Sequence, residues 1–238
     1  MSSQSKSTRP VFLTGEQVDL TVPDESAIDS DGWANWFNDK QVTKHLVGHG
    51  LFPNTPTKQL EFLESLASQE RLALLIYAKD IRRVVGTISL SNIDFKTRSA
   101  EVALVFGVTP KRRNLYALEA MAIITEHGFE TLGLWRIEAH QVYPDLSSWN
   151  KRMELLGYRA EGIARMKFVK GHTRKDTILL SCLYEDYLTL KKKRDGKYWL
   201  GQAGMFNLIK KMPRKGYADV LAEGLQSLKA TYFSPTKQ

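Results

Sequence analysis

Three strand-like runs follow one another between Leu72 and Val108: "LALLIYAKD", "RRVVGTISLSNID" and "SAEVALVFGV". Their alternation and their content of Val, Ile and Tyr mark each as a strand. The linkers between them are a few residues long, whereas two parallel neighbours need a crossover of about a dozen residues or more. The runs must therefore pair antiparallel, the first two as a hairpin with a tight charged turn. A doubly wound parallel sheet is excluded, because consecutive strands lack crossover helices.

The flanks extend this meander. "VFLTGEQVDLTV" predicts two short strands hinged near Gly15. "SAIDSDGWANWFND" sets Ile28, Trp33, Trp36 and Phe37 at roughly helical spacing, a helix with an irregular start. "GHGLFPNTPT" is a loop, after which Thr57 is expected to cap "KQLEFLESLASQ", with Leu60, Leu63 and Leu66 on its apolar face. Beyond the meander, "LYALEAMAIITEHGFETLG" predicts a long helix with Leu118, Met121, Ala122, Thr125 and Phe129 on one side and Gly133 near its end. "WRIEAHQVY" is a strand and "SSWNKRMELLG" a short helix with a serine start. "YRAEGIARMKFVKG" and "TRKDTILLSCLYEDY" form a second hairpin. The class is α/β (α+β), with a mixed, mostly antiparallel central sheet flanked by helices. Three segments are expected: a disordered lead-in over 1–10, a main domain over 11–187, and a basic C-terminal extension over 188–238 that carries an amphipathic helix, "YADVLAEGLQSLKATYF". The stretch before that helix, "LTLKKKRDGKYWLGQAG", reads as a connector.

Charge separates the extension from the rest. Residues 189–238 hold eleven Lys and Arg against three Asp and Glu, which accounts for the whole formal charge of +8. Such a segment suits a nucleic acid or an acidic protein, or is simply a solvated basic face. The apolar stripe of its helix needs a partner, either the main domain or a second copy in a homodimer. No apolar stretch approaches the roughly 20 residues that span a bilayer, and no membrane partner is expected. The single cysteine, Cys182, lies in an apolar strand and excludes both an internal disulfide and a cysteine metal cluster. No metal site is expected, and the start of the chain lacks a signal-peptide core, so the expected compartment is the cytoplasm.

"VTPKRRNLYALEAMAII" brings a strand through a basic turn to a helix N-terminus, with Asn114 as a candidate cap. Unpaired amides and the helix dipole favour an anion there.

From about residue 12 to 184 the chain resembles the GNAT acetyltransferase superfamily, in particular its ribosomal-protein-alanine acetyltransferase branch. The resemblance rests on five stretches in order: "GEQVDLTVPDES", "WANWFNDKQVTKHLVG", "VVGTISLSNIDFKTRSAEVALVFGVTP", "YALEAM", and "LGLWRIEAHQVYPDLSSWNKRMELLGYRAEG". It implies a sheet splayed between the family's fourth and fifth strands, with acetyl-CoA as cosubstrate in the split. "VALVFG" would be the fourth strand, its backbone from Leu104 through Val105 to Phe106 bonding the pantetheine arm. Lys111, Arg112, Arg113, Asn114, Leu115, Tyr116 and Ala117 would surround the diphosphate. Here the chain departs from the family pattern. Aligned on "YALEA", the two glycine positions of its phosphate loop hold Arg113 and Leu115, and its Gln/Arg position falls on Pro110. Glycine lets backbone approach an anion closely. Either the three cations replace those contacts, or the domain is a catalytically weak binding module.

The resemblance also implies a site for acetyl transfer to a primary amine, on a small molecule such as a nucleotide-linked amino sugar or on a protein N-terminus. Glu101 stands where the family often places a carboxylate that takes the amine proton through water. A backbone N–H near Val105 or Phe106 would face the carbonyl oxygen. The position of the family's tyrosine acid holds Met153, so Ser148, Asn150 and Tyr143 are the remaining candidates. Trp36, His45, His49 and Asn92 lie in segments that would wall the acceptor site.

Overall fold

A hinge of two short strands begins the fold, and the sequence shows why it is so tight. β1 (Val11–Thr14) and β2 (Val18–Thr21) pair antiparallel around Gly15, whose N–H donates to the Val18 carbonyl at 2.9 Å. A Cβ on Gly15 would lie 2.6 Å from both the Glu119 carboxylate and the Ile123 side chain, so no larger residue fits. A computed structural model describes residues 9–66, 69–107 and 113–233. They divide into two units, one up to Gly133 and one from Leu134 onward.

In the first unit the irregular helix predicted after β2 is two helices, α1 (Glu25–Ser30) and α2 (Trp33–Trp36). Gly32 breaks them apart with a left-handed φ of 72°, a conformation that side chains disfavour. After the short α3 (Lys40–Thr43) comes α4 (Pro56–Ser65). Its cap is Thr55, which accepts from the Lys58 N–H, and not the expected Thr57. Pro56 decides this: a proline fits the first helical position, where an N–H would have no partner. The predicted meander is present as β3 (Leu72–Ala78), β4 (Arg83–Asp94) and β5 (Ser99–Phe106), with β2 to β5 paired antiparallel in chain order. Ala27, Ile28, Trp33, Ala34, Trp36, Phe37, Leu75 and Val84 pack as one buried cluster under this sheet. Each large apolar side chain so buried contributes about 2 kcal/mol of transfer free energy. The long helix α5 (Arg113–Glu130) buries the predicted face, Leu118, Met121, Ala122, Thr125 and Phe129. It begins at Arg113, so Asn114 lies inside the first turn and not at the cap.

In the second unit β6 (Arg136–Tyr143) leads to α6 (Ser147–Glu154), then to the hairpin β7 (Arg159–Lys170) and β8 (Thr173–Leu183). β8 lies between β6 and β7, antiparallel to both. Cys182 is buried within it, as its apolar context predicts. The expected connector is instead two helices, α7 (Tyr184–Lys193) and α8 (Gly201–Lys210). Asp186 accepts from the Leu183 N–H at the start of α7, and Lys191, Lys192 and Lys193 lie in its last turn, where cations complement the helix dipole. Buried Tyr187 and Tyr198 meet edge to face at 4.8 Å. The predicted amphipathic helix is α9 (Tyr217–Phe233), which packs on β7 and α6. Helix and strand together make an α/β architecture whose strand pairs within each unit are antiparallel. Among the described residues no helix is long and apolar enough to cross a membrane.

Candidate active site

β5 is built to use only alternate residues on its β4 side. Gly107 donates its N–H to the Val85 carbonyl at 3.0 Å, and Phe106, Val105 and Leu104 stand opposite Gly86, Thr87 and Ile88. Antiparallel neighbours alternate between pairs that exchange both hydrogen bonds and pairs that exchange none. Gly107, Val105 and Ala103 therefore bond β4, while Phe106 and Leu104 turn their N–H and C=O away from it. The sequence reading assigned Leu104, Val105 and Phe106 to the cofactor together, and the ladder separates Val105 from the other two.

Two glycines that the sequence reading missed fix this strand end. A Cβ on Gly86 would lie 2.3 Å from the Val105 carbonyl oxygen, so only glycine lets β4 approach β5 here. A Cβ on Gly107 would fall 1.8 Å from the Trp36 indole. Trp36 is thus a buried wall for the end of β5, 5% exposed.

At the other end of β5, Glu101 is half-buried opposite Ser91. The ladder slips between Ser91 and Asp94, and Asn92 has a left-handed φ of 53°. That turn brings the Asn92 amide to 3.5 Å from the Glu101 carboxylate. Asn92 also lines an open cavity of about 860 Å³ together with Glu70, Asp94, Phe95 and Lys96. His49 is exposed and stacks on Phe37 at 4.4 Å, while His45 is half-buried.

The start of α5 is anchored twice. The Tyr116 hydroxyl donates to Asp80, in the β3–β4 turn, at 2.6 Å. Glu119 is wholly buried, accepting from the Gln17 N–H at 3.0 Å, from the Gln17 side-chain amide at 3.1 Å and from the Glu16 N–H. Burial pushes its carboxyl up, and these hydrogen bonds offset only part of the rise. A lone acid on the apolar face of a predicted helix was the available signal for this anchor. Leu115 is half-buried, and Tyr116 and Ala117 are buried. Lys111 and Arg112 lie outside the described residues, as do the side chains of Arg113 and Asn114.

The other candidates belong to the second unit. Asn150 is wholly buried on α6, and neither atom of its amide has a hydrogen-bond partner. Leaving such a group unsatisfied costs about 1–3 kcal/mol. Ser148 is exposed and its hydroxyl lies 2.5 Å from the Arg152 guanidinium. Tyr143, at the end of β6, directs its hydroxyl to Asp219 of α9 at 3.4 Å. Burial and the Asp219 carboxylate push the Tyr143 hydroxyl up, keeping it protonated.

Residues 20–151, more than half of the chain, match the model of the acetyltransferase (GNAT) domain. The uncharacterized N-acetyltransferase YoaA of Bacillus subtilis is 26% identical over 178 residues, spanning 72% of this chain and 96% of that protein. The spermidine N-acetyltransferase of Vibrio cholerae, solved in complex with CoA and spermine, superposes with a TM-score of 0.64 at 16% identity, over 73% of this chain and 99% of that one. RimJ of Mycobacterium smegmatis, solved in complex with CoA-disulfide, also gives 0.64 at 16% identity, over 78% and 93%.

Proposed function

The chain belongs to the GNAT acetyltransferase family, and on that premise we propose that it transfers an acetyl group from acetyl-CoA directly to a primary amine in a ternary complex. The observation that carries this reading is the alternation along β5, which turns the backbone groups of Leu104 and Phe106 away from β4. A pantetheine arm can bond these groups as an added strand would. The first-turn amides of α5, with the cations Lys111, Arg112 and Arg113 that the sequence places there, hold the diphosphate. The buried, unpartnered amide of Asn150 also fits a polar ligand, since binding would supply its missing hydrogen bonds.

Acetyl-CoA, when bound, supplies an acyl group activated by a good thiol leaving group. Glu101 takes the proton that the amine loses, through a water molecule. The Phe106 N–H faces the charge that develops on the carbonyl oxygen, and one such donor is worth about 10²–10³ in rate. As the new carbon–nitrogen bond forms and the carbon–sulfur bond breaks, Tyr143 gives its proton to the departing thiolate and is reprotonated from solvent. Tyr143 is preferred to Ser148 because a phenol is a far stronger acid than an aliphatic alcohol and is better matched to a thiolate. Glu70, Asp94 and Glu101 outweigh Lys96 around Asn92 and so attract an ammonium group, which gives one proton to solvent before the neutral amine attacks. The acceptor is a small-molecule amine, such as a nucleotide-linked amino sugar, or a peptide N-terminus.

Release of the CoA thiol, followed over a panel of such amines, tests the reading. Turnover should require an amine, and Glu101→Gln should lower it about 10²-fold near neutral pH. Unchanged turnover in Glu101→Gln from about pH 6 to about pH 9 would remove Glu101 as the base.

A further inference from the structure

The C-terminal extension closes over α6 and the end of β6. Lys151 donates to the carbonyls of Pro213 and Arg214 at 3.1 and 2.9 Å, and the Glu154 carboxylate accepts from the Tyr217 N–H at 2.7 Å. At the far end of α6, Arg194 donates to the Leu155 carbonyl and Tyr198 to the Leu156 carbonyl, both at 2.6 Å. A Cβ on Gly216 would lie 2.5 Å from both Glu154 and Lys151, so the chain crosses α6 in direct contact. Just past this crossing, one Asp219 oxygen accepts from the Gly216 N–H at 3.1 Å, capping α9, and the other faces the Tyr143 hydroxyl at 3.4 Å.

We propose that Asp219 is a positioning residue for the proton donor, and that the C-terminal extension is thereby part of the acetyl-transfer apparatus. The inference deepens the proposed function and rests on Tyr143 as the donor. The Tyr143 hydroxyl donates to Asp219, whose carboxylate opposes loss of that proton and fixes the phenol oxygen beside it. Glu223, one turn further along α9, acts on Tyr143 in the same sense. Asp176 stands opposite it on β8, its carboxylate already accepting from the Met166 N–H. Asp219 is nearest and is fixed by the cap and by the crossing over α6.

The test uses the full chain and reads ionisation of Tyr143 by ultraviolet absorbance, isolated as the difference between each protein and its Tyr143→Phe counterpart. In Asp219→Asn, which keeps an oxygen to cap α9, the Tyr143 transition should move to lower pH. Asp219→Glu should restore it, and Glu223→Gln should move it less than Asp219→Asn. The alkaline limb of kcat should follow the absorbance transition, while KM for acetyl-CoA stays within about twofold. An unmoved transition in Asp219→Asn would overturn the proposal. If the transition moves but the alkaline limb does not, the positioning of Tyr143 by Asp219 stands and Tyr143 is not the donor.

Discussion

Glu119 is tolerated where it lies because the backbone around Gly15 meets it with amides. Removing its carboxylate in Glu119→Ala strands the Glu16 and Gln17 N–H groups. We expect a loss of about 3 kcal/mol in urea unfolding. The raised carboxyl also gives stability a pH slope. Folded protein holds this proton to higher pH than the unfolded chain does. Its contribution is therefore most favourable below the ordinary carboxyl range and falls as pH rises through the window above it. Glu119→Gln should remove that slope. A constant difference in unfolding free energy between the two proteins across the window would contradict this. Gly107 makes the complementary case: Gly107→Ala drives a methyl into the Trp36 ring and should cost about 3 kcal/mol, seen as a lower urea midpoint. The need at Gly107 was not legible beforehand. A glycine that must lack a Cβ looks like any other until the register of its strand is known.

At the scale of elements, strands were easier to read than helices. The alternation in "RRVVGTISLSNID" survives in β4 from Gly86 to Leu90, where one face is buried, and slips past Ser91, where Asn92 is exposed and Ile93 buried. Hydrophobic periodicity also set the face of α5. α7 and α8 were read as a connector because lysines and arginines dominate the local pattern, while the buried tyrosines that hold them are 11 residues apart in sequence. β5 carries the sharpest prediction at this scale. Leu104→Pro deletes an N–H turned away from β4 and leaves the ladder bonds, so it should weaken acetyl-CoA binding with a modest loss of stability. Ala103→Pro deletes a ladder bond and should lower stability more, since proline suits only strand positions whose N–H is not needed for pairing. Equal effects of the two substitutions on binding and on thermal unfolding would contradict the alternation.

For the whole molecule, the order of strands and helices was present in the sequence, and with it the family. That the apolar stripe of α9 packs back on the main domain was one of the two readings the sequence offered. Its joining to α6 in particular was not legible, because it rests on hydrogen bonds between residues more than 60 positions apart. The charge imbalance has its own consequence. Lys210→Glu with Lys211→Glu and Lys215→Glu should lower the salt needed for elution from heparin far more than three reversals in the balanced remainder of the chain. Comparable losses would show that the basic extension has no special share in polyanion attraction. The central claim concerns the cofactor, and calorimetric titration of acetyl-CoA into the full chain tests it most directly. Saturable one-to-one binding, weakened in Leu104→Pro and lost faster with salt than binding of a phosphate-free pantetheine thioester, is the predicted result. No saturable binding at millimolar acetyl-CoA would contradict it.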